Sequence, residues 1–307
     1  MLKFTFSSVV AVALVAAALS IESNHAPAVA APSKVAAGPS VIKFTAIPDN
    51  NESTLRQRMQ PFADYLTEKM GVKFEYLHVV DYASAVKAME KEDAHLGWFG
   101  GFTGVQVRQR VKGSRAIAQG EEDKAFYSYF IAHKSTGLKE SAEFPKGIEK
   151  KTFTFGSESS TSGRLMPESF IRAAFGKKPD EVFAKVGFSG AHDKTIALVA
   201  AGTWEVGAVN GVDWEKAVKA EKQGDAVMIW KTPTYMDYNW TIRGNIDEVY
   251  GAGFGEKLQK AILAIDPKNG ERDQKVMEAF ARKRFIEAKN EDYATLAQVA
   301  KDIGLLR

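Results

Sequence analysis

A run of hydroxyl side chains between two glycines is the clearest chemical feature of this sequence. Residues Gly156 to Arg164 spell Gly-Ser-Glu-Ser-Ser-Thr-Ser-Gly-Arg, follow a strand-like Thr-Phe-Thr-Phe and precede a helical pattern. The start of a helix exposes unpaired N–H groups and the positive end of its dipole, and Ser160, Thr161 and Ser162 add hydroxyl donors. A single hydroxyl could simply cap the helix. Five hydroxyl residues in six positions favour a site that surrounds an oxygen-rich anion.

Other polar residues stand at predicted turns that follow strands. Asp49 follows the first strand, and Asn210 and Asp213 follow the strand Val206 to Val209. Ligands of open α/β sheets bind beyond the carboxyl ends of the strands, so each of these residues is a candidate for ligand contact. His192 precedes a helix and could bind the ligand, cap the helix or lie on the surface.

The residues alone leave two further functions open. One is a secreted serine-type hydrolase with Ser160 or Ser162 as nucleophile and His192 as base. Against it, neither serine lies in a Gly-x-Ser-x-Gly or Ser-x-x-Lys element, and Asp193 is poorly placed to orient the imidazole. The other is a ligand-binding sensor module. We favour a binding protein that performs no chemistry, and the protein is therefore not expected to be an enzyme.

The same residues resemble a known family over nearly all of the chain after residue 30. The stretches at residues 157–167, 190–193 and 98–101 resemble the periplasmic substrate-binding proteins of phosphonate- and phosphite-type ABC transporters. Gly-Gly-Phe-Thr-Gly-Val-Gln-Val-Arg at residues 100–108 is most similar to a subgroup provisionally assigned to selenate uptake.

The resemblance implies a hinge-closing protein that captures a small tetrahedral oxyanion of the phosphonate, phosphite, phosphate or selenate class. A membrane permease would then receive the ligand. The Ser-Thr-Ser triplet would bind the ligand oxygens, and His192 would add a further contact. The resemblance also implies an aromatic contact just before the first-lobe glycine, which is Phe99 here. Phenylalanine cannot donate a hydrogen bond, so that role could pass to Trp98.

Apolar periodicity predicts the strands and helices that position these residues. Strand-like runs such as Val41 to Ile47 alternate with helical segments such as Asn51 to Met70, as far as a strand at Ala226 to Lys231. Repeated βα units predict an α/β fold with mostly parallel sheets flanked by helices. After Arg243 the pattern predicts only helices.

Two breaks in this alternation predict a two-lobed periplasmic-binding-protein fold, type II-like, with a hinge. The breaks lie at Phe126 to Lys151 and at Lys231 to Ile242. We interpret them as crossings between a discontinuous lobe 1, residues 41–133 plus 235–307, and a lobe 2 of residues 134–234. The ligand cleft is expected between the lobes.

The N-terminus is typical of a secretory signal peptide. Lys3 is followed by a small and apolar run from Phe4 to Ser20, and Ala28-Val29-Ala30 has the pattern of a cleavage site. Residues 1–30 are predicted to be a signal peptide cleaved near Ala30, and residues 31–40 a disordered lead-in. The mature protein is expected in the periplasm.

Composition and charge exclude several classes of partner. The chain has 41 basic and 38 acidic residues, a net charge of +3 and no block of like charges, so nucleic acid is not an expected partner. It has no cysteine, and its 5 histidines lack metal-ligand spacing, so neither a metal nor a cofactor is expected. The expected partners are the anion and the permease, and the protein is expected to be a monomer.

The choice of anion depends on whether a carboxylate faces the cleft. A fully ionised anion such as selenate has no proton to donate, so a buried carboxylate would repel it. A protonated phosphorus oxyanion could donate to that carboxylate. On sequence grounds Glu158, Asp49 and Asp213 are the candidates.

Overall fold

Two β-sheets organise the chain in the computed structural model, which describes residues 40–306. The strands are β1 (Val41–Ala46), β2 (Lys73–Leu77), β3 (Leu96–Phe99), β4 (Arg115–Gly120), β5 (Ser128–His133), β6 (Thr152–Phe155), β7 (Lys185–Phe188), β8 (Val206–Asn210), β9 (Ala226–Lys231), β10 (Asn239–Ile242) and β11 (Phe285–Glu287). The helices are α1 (Glu52–Met70), α2 (Tyr82–Glu90), α3 (Gly101–Arg110), α4 (Met166–Phe175), α5 (Pro179–Val182), α6 (His192–Ala200), α7 (Gly211–Lys219), α8 (Ile246–Tyr250), α9 (Phe254–Leu263), α10 (Glu271–Phe280) and α11 (Ala294–Asp302).

Each lobe is built on one sheet, as the sequence predicts, but the sheets are mixed. The first has the order β11-β4-β10-β3-β1-β2 and the second β7-β6-β8-β5-β9. β1 is parallel to β2 and β3, and β6 is parallel to β7 and β8. The prediction of mostly parallel sheets is wrong, because β5 and β10, which enter and leave the second lobe, run antiparallel to their neighbours.

Two strands, β5 and β11, depart from the sequence-based expectations. β5 pairs with β8 and β9 in the second sheet, although the boundary at residue 133 assigns it to lobe 1. β11 adds to the edge of the first sheet, so the prediction that only helices follow Arg243 is also wrong. Alternation of apolar and polar residues identifies a strand such as β5 but does not show which sheet it joins. The three residues of β11 are too few to show such alternation.

The hinge consists of two segments that pair with each other. The chain enters the second lobe between β4 and β5, earlier than the predicted crossing, and returns between β9 and β10. Phe126 and Tyr235 form an antiparallel bridge, with N–H···O distances of 2.9 and 2.8 Å. Both crossings therefore lie side by side at the base of the cleft.

Helix α1 shows how local signals place the loops around the cleft. It begins after Asn51, whose side chain accepts a hydrogen bond from the Thr54 N–H at 3.0 Å, and it ends at Gly71 with φ of 70°. An asparagine cap and a left-handed glycine are typical helix ends. Phe62 on the buried face stacks on Trp240 of β10, with ring centroids 4.2 Å apart. This packing anchors α1 on the first sheet and leaves its N-terminus at the cleft.

The predicted signal peptide, and the lead-in as far as residue 39, lie outside the described residues. Among residues 40–306, no helix combines the length and the apolar character needed to cross a membrane.

Candidate functional site

The hydroxyl run forms a π-helical turn, Thr161–Leu165, between β6 and α4. Ser160 caps this turn, because its Oγ accepts a hydrogen bond from the Gly163 N–H at 2.9 Å. Thr161 and Ser162 are almost completely buried, and neither hydroxyl serves as the cap. Such π-helical turns are rare and are frequent at functional sites. Capping thus occupies one of the three hydroxyls and leaves two for other partners.

Two glycines allow the turn and His192 to approach each other. A Cβ on Gly163 would lie 3.1 Å from both Gly156 Cα and His192 Cε1, closer than nearly all real contacts of this kind. His192 Nε2 lies 3.5 Å from Ser162 Oγ, and the Asn210 N–H donates to His192 Nδ1 at 3.4 Å. A neutral imidazole whose Nδ1 accepts carries its proton on Nε2. His192 therefore points a donor towards the hydroxyl run.

This tautomer argues against the hydrolase. A general base needs an unprotonated nitrogen facing the nucleophile, whereas His192 faces Ser162 with Nε2–H. No carboxylate orients the ring, because a backbone N–H occupies Nδ1.

The start of α3 brings first-lobe donors to the same place. The Phe102 N–H donates to Thr161 Oγ1 at 3.0 Å, and the Thr103 hydroxyl donates to the Ser159 carbonyl at 2.7 Å. A Cβ on Gly100 would lie 2.9 Å from Thr161 Oγ1, so only glycine permits this approach. The start of a first-lobe helix thus places a backbone donor on Thr161, which itself lies at the start of the second-lobe turn.

Asp237, in the returning hinge segment, places a carboxyl group beside these donors. Its Oδ1 accepts a hydrogen bond from the Gly101 N–H at 2.9 Å, and its Oδ2 has no hydrogen-bond partner among residues 40–306. Burial raises the pKa of Asp237 to about 7, despite the opposing effects of the Gly101 N–H and the Thr161 hydroxyl. Near neutral pH this carboxyl can therefore either accept or donate a proton.

Tyrosine hydroxyls complete the polar surroundings of the turn. Ser128 Oγ donates to the Ser162 carbonyl at 2.7 Å and lies 2.5 Å from the Tyr235 hydroxyl, so Tyr235 donates to Ser128. The Tyr82 hydroxyl is buried close to Ser160 and lacks a hydrogen-bond partner in the described part of the chain. Tyr82 is therefore a neutral donor suited to an anion, whereas the Tyr235 hydroxyl holds Ser128 in place.

Asp49, Asn210 and Asp213 belong to a connected network rather than to the hydroxyl run. The Tyr238 hydroxyl donates to Asp49 Oδ2 at 3.0 Å, and Arg58 Nη1 donates to Asp49 Oδ1 at 3.0 Å. Asn210 Nδ2 donates to the Tyr238 hydroxyl at 3.2 Å and to Asp213 Oδ2 at 2.5 Å. Asn210 also caps α7. These three residues meet at the cleft, but their polar atoms already have protein partners.

The environment of Asp49 shifts its pKa in the direction opposite to that of Asp237. Burial by itself would raise the pKa of Asp49. The positive charge of Arg58 and the hydrogen bonds from Tyr238 and Asn50 oppose burial, and the pKa of Asp49 is lowered. Asp49 is an ionised structural carboxylate, and Glu158, the third candidate, is exposed.

The structure does not bring Trp98 and Phe99 to the hydroxyl run. Trp98 stacks on Tyr238, with centroids 5.4 Å apart, inside the aromatic core of the first lobe. The Phe99 ring lies over Gly97, where a Cβ would be only 2.2 Å from it. Trp98 does line a small cavity of about 20 Å³, together with Asp49 and the residues that are hydrogen-bonded to Asp49 and Asn210. The ligand contacts assigned to both aromatic residues stay predictions.

Arg164 is the cation of the motif, and it faces away from the turn's hydroxyls. Its guanidinium lies over the rings of Phe155 and Phe188, at 4.3 and 4.8 Å, and pairs with Glu168 at 2.6 Å. Neutral donors therefore surround Thr161 and Ser162. Within residues 40–306 no cluster of three or more metal-ligating side chains could hold a metal ion.

Sequence reasoning missed Asp237, Tyr82, Tyr235 and Ser128. A signal for Asp237 and Tyr235 was present, because both lie in or beside the interrupted segment Lys231 to Ile242 that predicts a crossing. Hinge segments border the cleft from below, so a polar residue in one is a candidate for ligand contact. Nothing in the local pattern identifies Tyr82, which opens a helix with ordinary amphipathic spacing.

Comparison with known proteins bears on both fold and site. Residues 44–293 match the model of the family described as ABC transporter, phosphonate, periplasmic substrate-binding protein. A probable ABC transporter phosphite binding protein, PhnD1 of Prochlorococcus marinus (strain MIT 9301), is 38% identical over 280 residues, covering 90% of this chain and 94% of that protein.

Solved structures agree with this match. PhnD1 from Prochlorococcus marinus in complex with methylphosphonate has a TM-score of 0.83 at 36% identity, covering 87% of this chain and 99% of that one. A binding protein component of an ABC phosphonate transporter from Pseudomonas aeruginosa has a TM-score of 0.75 at 20% identity, covering 85% of both chains, which bears on the fold alone. The predicted two-lobed periplasmic-binding-protein fold is confirmed.

Proposed function

Because the chain belongs to the family of periplasmic substrate-binding proteins of phosphonate ABC transporters, we propose that its ligand is a small phosphorus oxyanion of the phosphite and methylphosphonate class. The chain is the periplasmic substrate-binding component of such an importer, and proteins of this family are transporter components rather than enzymes. We further propose that Thr161, Ser162 and His192 bind the ligand oxygens, and that the backbone N–H groups at the start of α3 hold Thr161 and Asp237 in place.

The buried carboxyl of Asp237 carries the proposal. Among residues 40–306 its Oδ2 has no hydrogen-bond partner, so an oxyanion held beside it would meet an unpaired buried acceptor. A phosphorus oxyanion and Asp237 can share one proton, whichever of them carries it before binding. Selenate and sulfate are fully ionised at neutral pH and bring no proton. They can accept only the proton that Asp237 itself carries, whereas a phosphorus oxyanion can also bring its own, so the geometry favours phosphorus over selenium or sulfur.

The size of the adjoining space supports a small substituent. The cavity of about 20 Å³ beside Asn210 and Tyr238 is close to the room that one water molecule needs. A hydrogen atom or a methyl group fits this space, whereas a longer chain would have to displace the Asp49 network. The relative that binds methylphosphonate is consistent with that limit.

We also propose how the chain works in the importer. It acts as a monomer in the periplasm after loss of residues 1–30, and its partner is the membrane permease. The lobe boundary is proposed at the paired hinge segments, residues 121–127 and 232–238, in place of residues 133 and 235. A bound anion would stabilise the closed form, because it can accept hydrogen bonds from the donors of both lobes only when the lobes are closed.

A calorimetric panel at pH 7 tests the ligand assignment. Phosphite, methylphosphonate, phosphate, selenate and sulfate are titrated into the wild type and into Asp237→Asn. The wild type should bind phosphite or methylphosphonate more tightly than selenate, and the variant should lose most of this preference.

Glu158→Gln is the matched control, because it neutralises an exposed carboxylate beside the same turn and should change nothing. Selenate binding as tight as that of the phosphorus ligands in the wild type would contradict the proposal.

A further inference from the structure

The loop after β1 touches the second lobe at points separate from the hydroxyl run. The contacts are His192 N to Asp49 O at 3.0 Å, Asn51 N to Asp193 Oδ2 at 3.1 Å, and Asn50 Nδ2 to Asp213 Oδ1 at 3.0 Å. We call these three hydrogen bonds the clasp. They join one first-lobe loop to the starts of α6 and α7.

Both sides of the clasp are also held by contacts within their own lobes. On the first lobe, Arg58 fixes Asp49, and Asn51 is fixed as the cap of α1. On the second lobe, Asp193 and Asp213 lie in the first turns of their helices, where the dipole favours a carboxylate.

Asp193 has one carboxylate oxygen to offer the other lobe. Ala191 occupies the cap position of α6, and Asp193 is the second residue of the helix. Its Oδ1 accepts from the Lys194 N–H at 2.8 Å, which leaves Oδ2 for Asn51 of the other lobe.

The clasp closes one side of a wide gap between the lobes. A cavity of about 570 Å³ separates α1 from α6 and α7 there and is lined by Asn50, Asn51, Asp193, Asp213 and residues farther along these helices. Nearby, Asn210 donates to the Tyr238 hydroxyl and Val212 of α7 packs against the first-lobe core. The clasp hydrogen bonds therefore supply part of the direct lobe-to-lobe attraction on this side of the cleft.

We propose that the clasp sets how readily the lobes close, and thereby the affinity for every ligand, without contributing to the choice among anions. The side chains of Asn50 and Asp193 form no hydrogen bond with the hydroxyl run or with Asp237. If the binding-competent closed state has a fractional population, the apparent Kd is the intrinsic Kd divided by that fraction. A change in the clasp therefore multiplies all Kd values by one factor. The inference rests on the proposed function in one respect, because its binding test requires an anion that binds between the lobes.

Asn50→Ala, Asp193→Ala and the double variant test the clasp by calorimetry with phosphite and methylphosphonate. Each single variant should weaken both ligands by the same factor, about two- to tenfold, and the double variant should weaken them further. The ratio of the two Kd values should stay within twofold of the wild-type ratio.

Asp266→Ala is the control, because this carboxylate also bonds to a nearby backbone N–H but touches only its own lobe. It should leave both affinities unchanged. Unaltered affinity in the double clasp variant, or a Kd ratio that changes more than twofold, would overturn the inference.

Solution scattering separates this inference from the ligand assignment. If the wild type binds neither anion, the proposed function has failed, and the ligand-free proteins are compared instead. The double variant should then have a larger radius of gyration than the wild type, and equal radii would count against the clasp.

Discussion

Asp49 and Asp237 are two buried carboxyl groups at the base of one cleft, and they behave in opposite ways. Asp49 is 2% exposed and Asp237 is fully buried. Asp49 is surrounded by the Arg58 guanidinium and the Tyr238 hydroxyl, and its pKa is lowered. Asp237 has the Gly101 N–H on one oxygen and no partner on the other, and its pKa is raised to about 7.

The difference shows that burial alone does not determine the role of a carboxyl group. Asp49 and Asp237 both lose their hydration, but only Asp49 gains a countercharge in exchange. A paired carboxylate stabilises the structure and holds its loop. A carboxyl left without a countercharge keeps a proton that it can exchange with a ligand. The surroundings of the two carboxyl groups adjoin each other. Tyr238, which follows Asp237 directly in the chain, donates a hydrogen bond to Asp49.

The largest effect is expected where the paired region is broken. Arg58→Met leaves the Asp49 carboxylate buried without its countercharge, which should lower the free energy of unfolding by about 3 to 5 kcal/mol. Urea denaturation at pH 7 measures this change. Asp49→Asn added to Arg58→Met should recover part of the loss.

Arg56→Met is the control for this helix, since it removes an exposed pair with Glu52 and should have little effect. Equal stability of the Arg56 and Arg58 variants would show that Asp49 does not depend on Arg58 as its countercharge, and the contrast with Asp237 would fail.

The next effect is the pH dependence of stability, which has opposite signs in the two regions. The ordinary pKa of an aspartate is 3.8, and that of Asp237 is about 7 in the folded protein. Between these values the unfolded chain releases the proton that the folded chain keeps, so Asp237 makes stability fall as the pH rises from about 4 to about 7. The slope is at most about 1.4 kcal/mol per pH unit.

Urea denaturation from pH 4 to 8 in the wild type and in Asp237→Asn isolates this contribution, which should vanish in the variant. Asp49, whose folded pKa is lowered, contributes stability that is lost only as the pH falls below 3.8. A wild type and a variant with parallel pH profiles would mean that Asp237 is ionised throughout this range.

A smaller effect is expected from the hydroxyls beside Asp237. Thr161→Ala or Ser162→Ala should weaken phosphite or methylphosphonate by at least tenfold, about 1.4 kcal/mol, and leave the fold intact. Calorimetry measures the affinity and circular dichroism the fold.

Ser159→Ala is the matched control in the same loop, because Ser159 takes part through its carbonyl. If the double variant of Thr161 and Ser162 bound as tightly as the wild type, the run would be no more than a helix cap.

The smallest effect is expected at Trp98, whose ring packs under both regions. It stacks on Tyr238, and phenylalanine can keep that stacking, so Trp98→Phe should change the affinity less than threefold. Saturating ligand should alter tryptophan emission in the wild type, and Trp98→Phe should remove much of that change. Trp204→Phe, in the second lobe, should retain it. A tenfold loss of affinity in Trp98→Phe would instead give the indole a direct ligand contact.

Local signals in the sequence determined much of the fold and one part of the site. Helix α1, with its asparagine cap, its apolar face and its terminal glycine, could be placed from residues 51–71 alone. The same holds for the turn at Ser160, Thr161 and Ser162, because a strand, a cluster of hydroxyls and a helix follow each other directly in the chain. These features depend on neighbours within a few residues.

Partnerships between distant segments were decided by the tertiary structure alone. The sheet that β5 joins, the antiparallel neighbours of β10 and the edge position of β11 depend on strands far away in the chain. Glu158, Asp49 and Asp213 are the sequence-based candidates for a carboxylate that faces the cleft, and no local pattern singles out Asp237, which lies beside Gly101 and Thr161 in the structure. A carboxylate's pKa and role depend on the charges and donors packed around it. For Asp49 these include Arg58, nine residues along the chain, and Tyr238 from the hinge, and for Asp237 they include Gly101 of the first lobe and Thr161 of the second. Only folding brings such groups within a few ångströms of one another, and hydrogen bonds and desolvation act at that range.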